Sequence, residues 1–324
     1  MKAPPVFIKS VPPVINRAAA APPKMAATKL PTIDLSLLAD LPSLTLQARY
    51  LVEGFLSGRH RSPQKGASVE FAEYRDYHPG DDLRRVDWRL FGRSDRLHVK
   101  QYEEETQLRV FLVLDSSASM DFKSREKTLR KIEFGRIVVA ALASLAQRQG
   151  DAFGLGIVGA ELKDFLRARS SVPHWKTFIA RLEAIKPGGP TSLARALNDL
   201  AEIIPARSLV MVASDFYEDT APLQSALRRL RYDHHEIIGL HILDPMETDF
   251  DLENAGQFVD VETGGRIRLD AASVRKGYLD RFNQFCGELE EMFRDAGGEL
   301  TQLRTDQPPV KALTHYLAKR EHRL

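Results

Sequence analysis

Between Arg109 and Leu243 the chain alternates short apolar runs with amphipathic stretches, and that rhythm constrains the fold more than any other feature of the sequence. Arg109 to Leu114, Leu209 to Ala213 and Glu236 to Leu243 read as strands, the first two of the buried type. Arg125 to Gln149 reads as a long helix with Leu129, Ile132, Ile137, Leu142 and Leu145 on its apolar face, and helices follow at about 173–185, 192–204 and 220–231. Phe153 to Val158 and Leu162 to Ala168 flank Gly159-Ala160 as a hairpin. Strands that alternate with helices in this way predict an α/β layer, a mostly parallel sheet flanked by helices. A polar hairpin around Thr263-Gly264-Gly265, a helix at about 272–296, a strand at Glu299 to Arg304 and a last helix from Pro308 complete the pattern.

Two different segments precede it. Eight of the eighteen prolines fall in the first 42 residues, so 1–43 is expected to be a disordered or polyproline-like leader. From Leu44 the residues Leu44, Ala48, Leu51, Val52, Phe55 and Leu56 recur at helical spacing until Gly58, and charged residues then crowd between short alternating segments (Ser68 to Tyr74, Arg96 to Tyr102). Residues 44–106 therefore read as a small charged α+β elaboration, and 107–324 as the α/β domain.

Composition narrows the chemistry. The 46 lysines and arginines nearly balance 44 acids, for a net charge of +2, so binding to nucleic acid or an anionic membrane would need a local basic patch. A single cysteine, Cys286, excludes intrachain disulfides and multi-thiolate metal sites and suggests a reducing, cytoplasmic setting. The apolar stretch Ile137 to Ala146 falls short of the roughly 20 residues a membrane helix needs, so no membrane span is expected.

The strand Arg109 to Leu114 runs straight into Asp115-Ser116-Ser117-Ala118-Ser119, a D-x-S-x-S turn at a strand's carboxyl end, where open α/β sheets bind ligands. Gly188-Gly189-Pro190-Thr191-Ser192 precedes a helix and Ser214-Asp215 follows a strand, so both point to the same edge. Asp115, Ser117, Ser119, Thr191 and Asp215 together offer two carboxylates and three hydroxyls, an oxygen set that suits Mg²⁺ (or Mn²⁺) and suits zinc poorly. Such a set leaves a coordination position that an incoming Asp or Glu of a partner could fill. The competing reading of D-S-S-A-S is an ordinary turn that caps a helix.

These motifs, with Gly189-Pro190-Thr191-Ser192-Leu193 as the second, resemble the metal-ion-dependent adhesion site of von Willebrand factor A domains; Phe216 departs from the pattern, since many members have glycine after the aspartate. Gly58-Arg59-His60-Arg61-Ser62, Glu70-Phe71-Ala72-Glu73-Tyr74-Arg75, Pro79-Gly80-Asp81-Asp82-Leu83-Arg84, Val86-Asp87-Trp88 and Val99 to Glu105 resemble the signature of the bacterial domain-of-unknown-function family fifty-eight (DUF58). That resemblance runs from about Leu46 to Arg320 and implies a von Willebrand A-like (Rossmann-like) α/β domain, an adaptor or scaffold role, Mg²⁺ binding, and association with MoxR-type AAA+ ATPases.

The remaining motifs carry less. A helix from Leu83, capped by Asp82, would set Arg85, Arg89 and Arg93 on one stripe as a possible partner-binding surface, with Trp88 and Phe91 packing it onto the sheet domain. Ten basic and seven acidic residues in 59–100 favour mutual pairing instead. Gly154-Leu155-Gly156-Ile157-Val158-Gly159 matches G-x-G-x-x-G but lies in a strand without the helix start a pyrophosphate needs. His234, His235 and His241 read as surface and strand-end residues, and Cys286 as a buried helix residue. The leading expectation is a non-enzymatic, Mg²⁺-dependent interaction module; the alternative is a metal-dependent, phosphoesterase-like hydrolase using the same carboxylates. Nucleic-acid binding through the arginine stripe is a weaker third.

Overall fold

The computed structural model describes residues 33–59, 73–78, 88–94, 96–101, 108–125, 128–250, 256–259, 266–269 and 271–321. Two helices open it, α1 (Leu35–Asp40) and α2 (Leu44–Arg59), followed by β1 (Glu73–Asp76), α3 (Trp88–Ser94) and β2 (His98–Gln101). The α/β part comprises β3 (Arg109–Asp115), α4 (Lys131–Arg148), β4 (Ala152–Val158), β5 (Leu162–Arg169), α5 (Val172–Glu183), α6 (Leu193–Ile203), β6 (Leu209–Ser214), α7 (Thr220–Tyr232) and β7 (Glu236–Leu243). It ends with α8 (Pro245–Asp249), β8 (Gly256–Val259), β9 (Arg266–Leu269), α9 (Ala271–Asp295), β10 (Glu299–Arg304) and α10 (Val310–Glu321).

Six strands form one sheet in the order β10-β7-β6-β3-β4-β5, parallel throughout except for β5, which pairs antiparallel with β4. The expected mostly parallel sheet flanked by helices is therefore present. Alternation along β3 explains why both faces are covered. Val110, Leu112 and Leu114 join a core with α2, α4, α5 and α10, while Phe111 and Val113 join one with α6, α7 and α9. Each fully buried Leu, Ile or Val contributes about 1.5–3 kcal/mol of transfer free energy, so a strand buried on both faces anchors the sheet centre. From β3 the chain builds outward to β4 and β5, then returns to lay β6, β7 and β10 on the other side. The order reverses between β3 and β6, which opens a crevice at their carboxyl ends.

Several boundaries differ from the sequence expectations. Residues 35–40, assigned to the leader, form α1: Asp34 caps it by accepting from the Ser36 and Leu37 N–H groups (2.9 and 3.4 Å), and Leu38 is fully buried. The apolar face of α2 enters the main core through Leu44, Ala48, Leu51, Val52 and Phe55. The long helix begins at Lys131, not Arg125: a 3₁₀ turn (Ala118–Asp121) comes before it, Arg130 is still extended, and Glu133 accepts the Arg130 N–H at 2.9 Å to fix the start. Helix α3 is described from Trp88 onward, the expected start at Leu83 lying outside the described residues, and Trp88 is 58% exposed against Phe91, so it does not bury itself as expected. At the chain's far end α10 is tied down by buried Asp151, which accepts from the Leu108 N–H (3.2 Å), the Tyr316 hydroxyl (2.5 Å) and Arg320 Nε (3.1 Å).

Candidate metal centre

Asp115 ends β3 and Ser214 ends β6, so the two strands that flank the crevice deliver their last residues to it. The Asp115 carboxylate is fully buried: Oδ1 accepts the Ser117 N–H at 2.9 Å and Oδ2 accepts the Ser214 hydroxyl at 2.6 Å. The Ser117 and Ser119 hydroxyls lie 3.0 Å apart on the turn that follows. The loop that carries Thr191 is stitched to this turn through backbone groups, Gly188 N–H to Ser116 O (2.9 Å) and Ala118 N–H to Gly189 O (3.0 Å). Gly189 adopts φ +77°, a conformation that costs glycine least, and so explains the Gly-Gly before Pro190. Thr191 Oγ1 is shut off from solvent yet has no hydrogen-bond partner.

Asp215 follows β6, fully buried, with Oδ1 3.4 Å from the Tyr217 N–H. The next residue, Phe216, sits at φ +57°, in the left-handed region. That is the position where the von Willebrand A resemblance has glycine. Phe216 takes on a strain of about 1–2 kcal/mol there and is compensated by full burial between His241 and Phe293. The structure thus brings Asp115, Ser117, Ser119 and Asp215 to one crevice and ties the Thr191 loop to it.

Burial, and after it the neighbouring charge of Asp215, pushes the Asp115 carboxyl up to about 6, against the hydrogen bonds from Ser214 and Ser117. A hard cation relieves such a conflict, and the donors present are oxygens alone, with one hydroxyl left unpartnered; the residues fit Mg²⁺. Among the described residues no group of three or more His, Cys, Asp or Glu is placed to hold a metal, so a cation here depends on the hydroxyls.

Four residues that the motif reading missed complete the surroundings. Lys131, at the start of α4 and 1% exposed, donates to Asp215 Oδ2 at 2.8 Å and to Glu247 Oε1 at 2.7 Å. Burial pulls its ammonium pKa down, but Asp215 and Glu247 outweigh that and leave it raised, so it stays charged. Glu247 is set by the short helix α8, whose Asp-Pro-x-Glu start forms a capping box: Asp244 accepts the Met246 N–H (2.8 Å) and Glu247 the Asp244 N–H (2.7 Å). Glu218 caps α6 with both oxygens, accepting the Leu193 and Ala194 N–H groups at 2.9 and 3.0 Å, and burial raises its pKa to about 7. His241 lies within β7 beside Phe216, fully buried, with neither ring nitrogen hydrogen-bonded and its pKa lowered to about 4 by burial. It lies two residues before the end of β7, near the strand end as expected, but buried and not at the surface. His235 is also buried, whereas Cys286 is buried as expected, among Leu243, Phe282 and Phe285. A lysine at a helix N-terminus opposes the macrodipole, and that anomaly was the available signal for Lys131.

Of the arginine stripe, Arg85 and the Arg89 side chain lie outside the described residues, and Arg93 is exposed in the last turn of α3. The G-x-G-x-x-G match lies mostly in β4: a Cβ on Gly154 would meet Leu166 O at 2.7 Å and the Phe111 ring at 2.8 Å, so this glycine serves strand packing.

Strand order, crevice and strand-end oxygens define a doubly wound α/β domain with a candidate hard-cation site, in keeping with the von Willebrand A-like expectation. Within that class the chain belongs to the family described as "Protein of unknown function DUF58", whose model matches residues 73–284. The uncharacterized proteins Rv1480 of Mycobacterium tuberculosis and Mb1516 of Mycobacterium bovis are each 29% identical over 298 residues, which span 89% of this chain and 90% of theirs. Among solved structures, the conserved hypothetical protein BatB from Bacteroides thetaiotaomicron aligns with a TM-score of 0.47 at 16% identity, covering 66% of this chain and 99% of that one. The SpRpn10 VWA domain aligns with a TM-score of 0.38 at 13% identity, covering 65% and 95%. No helix among the described residues is long and apolar enough to cross a membrane.

Proposed function

We propose that this chain is a Mg²⁺-dependent protein-interaction module in which Asp115, Ser117, Ser119, Thr191 and Asp215 hold the ion and a carboxylate of a protein partner docks against it. The observation that carries this reading is the buried, unpartnered Thr191 Oγ1 on a loop tied to the turn that follows Asp115, a carboxylate whose own charge is poorly accommodated. When bound, the ion supplies positive charge that the partner's carboxylate completes. The chain's own residues fix the turn, exclude water from Asp115 and aim the hydroxyls. The single cysteine supports a cytoplasmic setting, and a MoxR-type AAA+ ATPase is the partner class that the sequence resemblance implies.

A hydrolytic role finds less support. Glu218, the nearby carboxylate with a pKa suited to a general base, spends both oxygens on the N-terminus of α6. Ser117 and Ser119 face one another, and His241 bonds to neither.

Melting the protein with Mg²⁺ and with chelator tests the site. The wild type gains stability from Mg²⁺, whereas Asp115→Ala and Thr191→Val gain little; Thr191→Val also melts no lower than wild type in chelator, because it removes an orphaned hydroxyl. Equal melting of wild type and both variants with and without Mg²⁺ overturns the proposal. Affinity capture repeated with Mg²⁺ and with chelator then identifies the partner as the protein lost on chelation.

A further inference from the structure

The cation already inside the crevice is Lys131. Its ammonium is 1% exposed and held at 2.8 Å by Asp215 and 2.7 Å by Glu247, with the Tyr217 ring centroid 5.3 Å and the Phe122 centroid 5.9 Å away. Its acidic partner from α8 is rigidly set: Oε2 of Glu247 takes the Asp244 N–H, and Asp244 in turn takes the Ser124 N–H at 3.0 Å. The charge at Lys131 is matched to the two buried acids it touches and not required by the packing of α4 itself. Burying an ammonium against the positive end of an 18-residue helix is costly, and Asp215 and Glu247 are the groups that offset that cost. The arrangement has one local consequence: an oxygen of Asp215, one of the two carboxylates available to the divalent ion, is already occupied by a fixed positive charge.

We propose that Lys131 is a resident competitor for Asp215, and that the ion triad Asp215–Lys131–Glu247 sets how weakly or tightly the crevice holds a divalent cation. This rests on the metal reading of the crevice given above. The ammonium draws Asp215 toward α4 and α8, so a cation must share that carboxylate with it. Glu247 pulls the other way by giving Lys131 a second anion. Removing Glu247 leaves Asp215 as the only acidic partner the described residues give Lys131, which tightens the lysine's hold and weakens metal binding. Removing both Lys131 and Glu247 leaves the formal charge of the set unchanged and frees Asp215.

The test is titration of the full chain with Mg²⁺ and with Mn²⁺ by isothermal calorimetry, for the wild type, Glu247→Gln and Lys131→Met/Glu247→Gln, with melts in chelator to confirm folding. Glu247→Gln is close to isosteric and is expected to bind at least about tenfold more weakly, while the double variant binds at least about tenfold more tightly than wild type. Net charge alone predicts no difference between the double variant and wild type, so the pair isolates competition from bulk electrostatics. Equal affinity of wild type and double variant, or unchanged or tighter binding by Glu247→Gln, overturns the role of Lys131 while leaving the metal reading intact. Binding by the double variant alone supports the competition and overturns Mg²⁺ dependence of the wild type. No binding by wild type or double variant overturns both.

Discussion

Replacing Asp115 with Asn should stabilise the metal-free protein and abolish its response to Mg²⁺. Asp115 ionises near 3.8 when exposed but at about 6 in the fold, chiefly through burial and then through Asp215. The difference, about 2 units at 1.36 kcal/mol each, makes the ionised side chain a liability of about 3 kcal/mol. Asparagine removes the charge and still accepts the Ser117 N–H, but it sets an amide NH₂ opposite Ser214, whose hydroxyl loses the acceptor for its proton and must accept a second bond beside the Phe216 N–H. That exchange costs about 1 kcal/mol and leaves a net gain of about 2 kcal/mol. At about 2–4 °C per kcal/mol, Asp115→Asn should melt about 4–8 °C above wild type in chelator at neutral pH. The sign reverses with acid. Between 3.8 and about 6 the folded protein keeps a proton that the unfolded chain has released, so wild-type stability from this group is full below 3.8 and is lost as pH rises through 6. The variant does not titrate there, so its advantage should be complete above pH 6 and gone near 3.8. Differential scanning calorimetry in EDTA at these two limits, then with Mg²⁺, measures all three effects. A variant that melts at or below wild type in EDTA at neutral pH, or one whose advantage persists in acid, refutes the reasoning.

Tyr316→Phe removes the hydroxyl that donates to buried Asp151, a bond to a charged acceptor worth about 1.5–3 kcal/mol. Melting should fall by about 3–12 °C, with faster amide exchange in α10, and an unchanged melting point would show that Arg320 and Leu108 suffice for Asp151. Gly154→Ala should destabilise by about 1–3 kcal/mol, because its Cβ meets a backbone oxygen at 2.7 Å and a ring at 2.8 Å. Gly156→Ala, whose nearest neighbour would be 3.6 Å away, should stay within about 0.5 kcal/mol of wild type; equal losses in chemical denaturation would contradict the packing account of these glycines.

The residues legible from sequence share a property: their roles are local to one element. Strand β3 announces itself because it is apolar on both faces, and D-x-S-x-S is readable because a strand's carboxyl end is a ligand position in any open α/β sheet. Even the departure at Phe216 carried information, since φ +57° there shows why glycine would suit the position. What the sequence concealed is the company those residues keep. Lys131 reads as one more charge on an amphipathic helix, and only the topology shows that positions 131, 215 and 247, from three separate segments, meet within hydrogen-bond distance. Glu218 likewise reads as a loop acid until α6 is seen to begin against it. His241 reads as a polar residue near the end of its strand, and only the packing of Phe216 and of Phe285 from α9 against its ring shows that it is buried. The motif therefore supplies the oxygen donors, while α4, α8 and the Glu218 turn supply the charges that decide how those donors behave. Proteins with the same D-x-S-x-S, Thr and Asp set but different residues at the positions of Lys131 and Glu247 should differ in cation affinity for that reason, with their donor atoms unchanged.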